Sequence, residues 1–438
     1  MTDTAPAIAR LVFSCMPFIP LHEAQMQDPE EAARGAALKL SPVKWLLIRV
    51  VDRLLSPLVS LKRVAGQARR RSLPGEVRKI LVVEYWNLGD VVLLLPFLQN
   101  LRANYPRASI TLAVNPKILE LLQAESVADQ LIPLRVPWAQ HFARWKKYNP
   151  LSLLWADLLR SVLALRRQHF DLALTGRMDI RDNFLVWLVG ARQRVGYGFA
   201  GGRQFLTHVV KPDPRRPHRS EVWLRLLEHL GKTVSLTPPA LHLTTNEQTF
   251  ARHFLEENGI QPYNTILGIH AGARIAIRGW GEHNFAAVEA CLLSDPSIRT
   301  IWFLQPGERP PQNTFPGHGI LACLPLRKFM AVLAHCHVLL CNDGGPMHIA
   351  TALGVPVVAV FGPTQPAWFG PQGRRNRVVI RPEFWCRPCF EYCIFKQPHC
   401  LRSITPDDVL HAVHEVLKEL RYTYTGSQMP SPSGTTRC

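Results

Sequence analysis

Residues 79–114 read KILVVEYWNLGDVVLLLPFLQNLRANYPRASITLAV. The run Lys79–Glu84 is short and almost wholly apolar, the pattern of a parallel strand buried on both faces. A glycine-containing turn, Tyr85–Asp90, follows it. Val91–Tyr105 then carries helical spacing, and Ser109–Val114 is a second strand. Strand, turn, helix and strand form a βαβ opening, which begins a doubly wound α/β sheet.

The same alternation continues along the chain. Strand-like runs recur at Leu172–Thr175, Thr265–His270, Thr300–Leu304, Val338–Cys341 and Pro356–Phe361. Helical patterns lie between them, as at Ser220–Leu230 and Phe285–Leu293. The stretch Thr237–Tyr263, with Pro238, Pro239 and Asn258–Gly259, reads as the junction between two series. The expectation is two facing Rossmann-like domains with parallel sheets, at 79–245 and 246–424, and a ligand site in the cleft between them. Residues 1–78 form an N-terminal extension. Within it Val43, Leu46, Leu47, Val50, Val51, Leu54, Leu55 and Leu58 suggest an amphipathic helix, followed by a basic run. Residues 425–438, rich in Ser, Pro, Gly and Thr, read as a disordered tail.

The chain has 438 residues, with 51 Lys plus Arg against 33 Asp plus Glu, a net charge of +18. That surplus favours anionic partners. At 47% hydrophobic and 19% charged residues, the composition is globular and excludes global disorder. No apolar run approaches the ~20 residues that span a bilayer. The expected location is cytoplasmic, with peripheral contact at the inner face of the cytoplasmic membrane compatible with the charge. Charge alone suggests nucleic acid, but no finger, helix-turn-helix or RNP signature supports it. The first turn holds only Gly89, not G-x-G-x-x-G, and no G-x-x-x-x-G-K-[ST] occurs, so NAD and P-loop chemistry are disfavoured.

Four constellations carry the chemistry. Asp90 ends the first turn, at the start of a helix, where it is either a cap or a general base aimed into the cleft. The block Asn342-Asp343-Gly344-Gly345-Pro346-Met347-His348 joins a buried strand to a helix with proline near its first position. Free N–H groups at such a start can bind a diphosphate; Asp343 either accepts from sugar or ribose hydroxyls or serves the turn, and His348 either faces the same ligand or is a core histidine. His270–Ala273 and Arg278-Gly279-Trp280 form a third turn, with Arg278 suited to a diphosphate or else a surface arginine; Glu308 follows the next strand and can accept from ribose or base. Finally Cys386, Cys389, Cys393 and Cys400 lie within fifteen residues, a candidate zinc or iron–sulfur set or a loop of reduced thiols.

Taken together these blocks resemble glycosyltransferase family 9, the ADP-heptose:lipopolysaccharide heptosyltransferases, over Lys79 to Leu420. The carriers are the 79–106 block, Arg194–Gly198 (RVGYG), GIHAGA with RGW, and NDGGPMHIATALGVPVVAVFGPT. The resemblance implies GT-B architecture and an inverting transferase that needs no metal and no cofactor. It implies Asp90 as catalytic base, and Arg278, Glu308, Asp343, Gly344, Gly345, Pro346, Met347 and His348 at the nucleotide sugar. Arg278 stands where the family usually has lysine. The implied partners are an ADP-heptose donor and an anionic glycolipid acceptor, with no nucleic acid. Arg160, Arg166, Arg167, Arg177, Arg181, Arg192 and Arg203 read as a basic face for that acceptor, or as plain solvated surface. The alternatives are a non-catalytic nucleotide- or glycan-binding protein, a transferase of another nucleotide sugar, and a nucleotide-sugar epimerase.

Overall fold

The computed structural model describes residues 50, 53, 76–139, 152–199, 201–305, 308, 319–389, 393–395 and 397–424. The expected amphipathic helix and disordered tail therefore lie outside the described residues, apart from Val50 and Arg53.

Among the described residues the strands form two six-stranded parallel sheets. The first contains β1 (Lys79–Val83), β2 (Ser109–Val114), β3 (Gln130–Pro133), β4 (Leu172–Leu174), β5 (Gln193–Tyr197) and β6 (His208–Val210). Its order is β3-β2-β1-β4-β5-β6. The second contains β7 (Thr265–His270), β8 (Ile298–Phe303), β9 (Gly319–Ala322), β10 (Val338–Asn342), β11 (Val357–Phe361) and β12 (Arg377–Ile380). Its order, β12-β11-β10-β7-β8-β9, reverses direction beside the first strand, as the first sheet does. In such sheets the crevice at the reversal, beyond the carboxyl ends of the strands, is the ligand site. That crevice lies beyond β1 and β4 in one sheet and beyond β7 and β10 in the other.

The central strands are apolar because helices cover both faces; Ile80, Leu81, Val82 and Val83 are fully buried, as are Leu339, Leu340 and Cys341. After β1 the chain turns into α1 (Leu88–Val92) and α2 (Leu95–Asn104). A single helix from Val91 to Tyr105 was the expectation. The break falls where Pro96 has no N–H to bond the Val92 carbonyl and its ring crowds that oxygen. Helices α3 (Leu153–Arg166) and α4 (Ile180–Val189) flank β4, and α5 (Arg219–His229) closes the first half. The expected junction Thr237–Tyr263 holds a helix, α6 (Thr245–Glu257). Its polar start is a capping box: Thr244 accepts from Glu247 N, and Glu247 accepts from Thr244 N. The second half adds α7 (Glu282–Leu292), α8 (Leu326–Leu333), α9 (Gly345–Ala352) and α10 (Pro406–Tyr424). No helix among the described residues is long and apolar enough to cross a membrane.

The halves share one apolar cluster, which runs from Leu95 and Leu98 through Val355 to Met330 and Phe303. Polar ties reinforce it. Arg327 of α8 donates through Nη1 to the Leu121 carbonyl at 3.2 Å and bonds Glu247 at 2.7 Å. His218, at the N-cap of α5, reaches the Gly370 carbonyl at 3.2 Å.

Candidate functional site

On the first side of the cleft, four charges interlock at the ends of β1 and β4. Glu84 is the residue after β1 and is buried. It accepts from Arg219 Nη2 at 2.8 Å and lies 3.6 Å from Arg177 Nε. Asp90 follows six residues later, in the first turn of α1. One oxygen is 2.7 Å from Arg177 Nη2 and 3.9 Å from Arg219 Nε. The other accepts from the backbone N–H and the side-chain amide of Asn87 at 3.3 and 3.2 Å. Asn87, not Asp90, is therefore the N-cap, and Asp90 is the third residue of α1. This position fixes the carboxylate at the mouth of the turn while the cap work is shared with its neighbour.

Arg177 was expected on a basic surface. It is instead drawn inward, with only 20% of its side chain exposed, and lies 4.8 Å from the Trp86 ring. Burial works against its charge, but Asp90 and Glu84 more than offset that and hold the proton more tightly than usual. Arg219 goes the other way: burial and the Arg177 cation both lower it. It also donates to the Gly176 carbonyl at 2.7 Å, so it ties the ends of β1 and β4 together. Arg160, Arg166, Arg167, Arg192 and Arg203 do remain exposed. Arg194 is buried; it donates to the Phe205 and Ala191 carbonyls, each at 2.7 Å. Tyr197 donates to the Val222 carbonyl at 2.6 Å. Both RVGYG residues thus make framework bonds.

Behind the first turn, Trp138 Nε1 donates to Tyr85 Oη at 2.8 Å, and Tyr85 stacks on Trp86. Asp182 is buried beside them; burial and then the Asp179 charge push its carboxyl up to about 7. The folded state keeps a proton that the unfolded chain releases between the ordinary carboxylate value and about 7. Stability contributed here therefore falls as pH rises through that window. Asp182→Asn is expected to raise stability by a few kcal/mol at pH about 8 and to change little below pH about 4. Urea denaturation of both proteins across pH checks this.

On the second side, Asn342 ends β10 and stitches three turns together. Its Oδ1 accepts from Trp280 N at 3.0 Å and its Nδ2 donates to the Ala271 carbonyl at 2.7 Å. Asp343 accepts from Thr364 Oγ1 at 2.7 Å, and Arg278 Nη1 lies 3.4 Å from the same oxygen. Gly344 caps α9 and Gly345 and Pro346 are its first residues, so the opening N–H groups have no carbonyl within the helix to bond. Met347 is fully buried and acts in the core. Glu308 accepts from Gln305 N at 2.8 Å, and its other oxygen sits 2.9 Å from where a Gly272 Cβ would be. Arg278, Glu308 and the 343–345 turn thus converge on one crevice.

The two sides meet face to face. A Cβ on Gly345 would lie 3.5 Å from Leu88 Cβ. His348, expected to face ligand, is 5% exposed and packs on Gly89. Burial brings its imidazole down to about 4, so it is neutral at physiological pH. A Cβ on Gly89 would come within 2.6 Å of His348 Cδ2. Gly89→Ala is expected to cost about 1–3 kcal/mol by wedging the turns apart. Adding His348→Ala should recover most of the loss, which a denaturation cycle measures.

The four clustered cysteines are free thiols. Among the described residues no group of three or more His, Cys, Asp or Glu is placed to hold a metal ion. Burial, with the neighbouring thiols, raises Cys389 to about 12. Their loop is tied to the second side: Arg387 donates to the Gly362 and Thr364 carbonyls at 2.6 and 2.8 Å.

Residues 158–399 match the profile of glycosyltransferase family 9 (heptosyltransferase). The chain belongs to this family. It is 31% identical over 85 residues to lipooligosaccharide heptosyltransferase 2 of Campylobacter jejuni, a match covering 19% of the chain and 27% of that relative. It is 22% identical over 317 residues to lipopolysaccharide heptosyltransferase 1 of Escherichia coli, covering 69% of the chain and 94% of the relative. Among solved structures it resembles the ADP-heptose lipopolysaccharide heptosyltransferase II of E. coli, with TM-score 0.61 and 18% identity over 78% of this chain and 99% of that one. The fold is GT-B. Asp90, Arg278, Glu308, the 342–348 turn and the turn ending at Thr364 are legible in the sequence, but Glu84 and Arg219 are not. The available signal was position: Glu84 directly follows a buried strand, and Arg219 opens a helix at the sheet's carboxyl edge.

Proposed function

We propose that this family member is an inverting, metal-independent heptosyltransferase. It moves heptose from ADP-heptose to a sugar hydroxyl of a lipopolysaccharide-core acceptor. The observation that carries the reading is the placement of the Asp90 carboxylate at the mouth of one turn, directly across the cleft from the Asp343–Gly345 turn. The donor identity rests on likeness to heptosyltransferases of this family.

In this mechanism Asp90 accepts the proton of the acceptor hydroxyl as that oxygen attacks the anomeric carbon. ADP leaves from the opposite face, which inverts the centre. Negative charge builds on the diphosphate as the bond breaks. The first N–H groups of α9 and the Arg278 guanidinium stabilise it. Glu308 accepts from ribose hydroxyls, and Asp343, fixed by Thr364, from the sugar. As Asp90 becomes neutral, Arg177 and Arg219 keep Glu84 as their remaining counter-charge. An anionic acceptor group would then balance the extra positive charge. Packing of the two turns limits water and hence donor hydrolysis.

The test is release of ADP from ADP-heptose with heptose-deficient lipopolysaccharide as acceptor, in EDTA. ADP release that depends on acceptor and survives EDTA supports the reading. Turnover only of UDP- or GDP-sugars would replace the donor, and binding without transfer to any acceptor would favour a non-catalytic role.

A further inference from the structure

The outer face of α3 is chemically unlike a solvated helix surface. Leu153, Leu159 and Leu163 are 79%, 59% and 46% exposed, while Leu158, Val162 and Leu165 on the inner side are buried in the first half. At about 100° per residue, the three exposed leucines and Arg160 and Arg167 fall within an arc of about 120°. Arg166 borders that arc and is exposed too. Asp157, the one acid in the helix's own sequence, is already paired with Arg160 at 2.8 Å. Isolated exposed leucines need no explanation, but a leucine row set among arginines does.

The helix is also placed to matter. It leads into β4, so it starts at the carboxyl end of the parallel sheet, where the cleft lies. Trp155 in its first turn packs on Trp138, which bonds Tyr85, and Tyr85 stacks on Trp86 beside Arg177. The exposed end at Leu153 is therefore at the rim of the acceptor side.

The geometry points to this face of α3 as a docking surface for an anionic lipid bilayer. The leucines enter the headgroup boundary, and the arginine stems lie along it with their guanidinium groups on lipid phosphates. Charge selects this occupant over the others. A second copy pairing by the same face would set arginines against arginines. The basic N-terminal run with Lys62, Arg63, Arg69, Arg70 and Arg71 would be repelled by it. Docking here would hold the cleft rim at the membrane surface, where a lipid-anchored acceptor is confined. The inference does not require the donor assignment to be right.

The experiment is flotation of the full-length protein with phosphatidylglycerol vesicles and with phosphatidylcholine vesicles. Wild type is expected to float with the first, and Leu159→Glu/Leu163→Glu to lose about tenfold or more in partitioning. Unfolding midpoints check that the variant is folded; Leu159→Gln/Leu163→Gln is the milder pair if it is not. Arg160→Glu/Arg167→Glu should weaken binding to phosphatidylglycerol alone. The proposal is overturned if wild type binds neither vesicle, if it binds both equally, or if the leucine variants float as wild type does. It is equally overturned if wild type is a dimer in solution that the leucine variants dissolve, which would make the face an interface between copies.

Discussion

Asp90→Asn is expected to lower transfer by about 10²–10⁴-fold while ADP affinity stays within about twofold of wild type. The amide keeps the size of the carboxylate, and its oxygen can still accept from Asn87. It cannot take the acceptor's proton. The donor-side groups, Arg278, Glu308 and the 343–345 turn, belong to the second half of the chain, so nucleotide binding is the internal control for folding. The ion pair with Arg177 is lost, so a moderate fall in unfolding midpoint should accompany the change. Kinetics with calorimetry on the same preparations separate the two effects. Near-wild-type transfer by the asparagine variant would reduce Asp90 to a helix-terminus residue.

The second large effect is expected at Arg177. Its guanidinium lies against two carboxylates, one of them on the fully buried side chain of Glu84. Arg177→Met would remove one of the two arginines that face both carboxylates. Removing one partner from a buried charge set is strongly destabilising, about 3–5 kcal/mol. Arg177→Lys should recover part of this, since it restores charge without the planar fork. Urea denaturation at neutral pH is the measurement, and a loss below about 1 kcal/mol for Arg177→Met would show the pair to be screened by solvent.

How much of this was legible in the sequence follows from burial. β1, β2, β7, β10 and β11 announce themselves because both faces of each are covered, which demands continuous apolar runs such as ILVV and VVAVF. β3, β6, β9 and β12 did not, because they are sheet edges. QLIP, GILA and RVVI are part-exposed, so their sequences are short and mixed. β5 was visible only as the RVGYG motif, since its length of five residues includes Gln193 and Arg194. The site divides in the same way. Turns joining buried strand to helix, at Asp90 and at Asp343–His348, are local and could be read from spacing. The Glu84–Arg177–Asp90–Arg219 set could not. Its members come from three separate segments, and the buried state of Arg177 depends on carboxylates that only folding brings to it. At His348 spacing leaves a ligand-facing residue and a core histidine both open, and the close approach of the Gly89 backbone makes it one of the contacts between the two halves.

The most direct measurement is calorimetric titration of the purified protein with ADP, UDP and GDP, each with and without EDTA. The proposed site predicts saturable binding that prefers ADP and is unchanged by EDTA. Preference for UDP or GDP, or binding abolished by EDTA, would contradict a metal-independent ADP-heptose transferase.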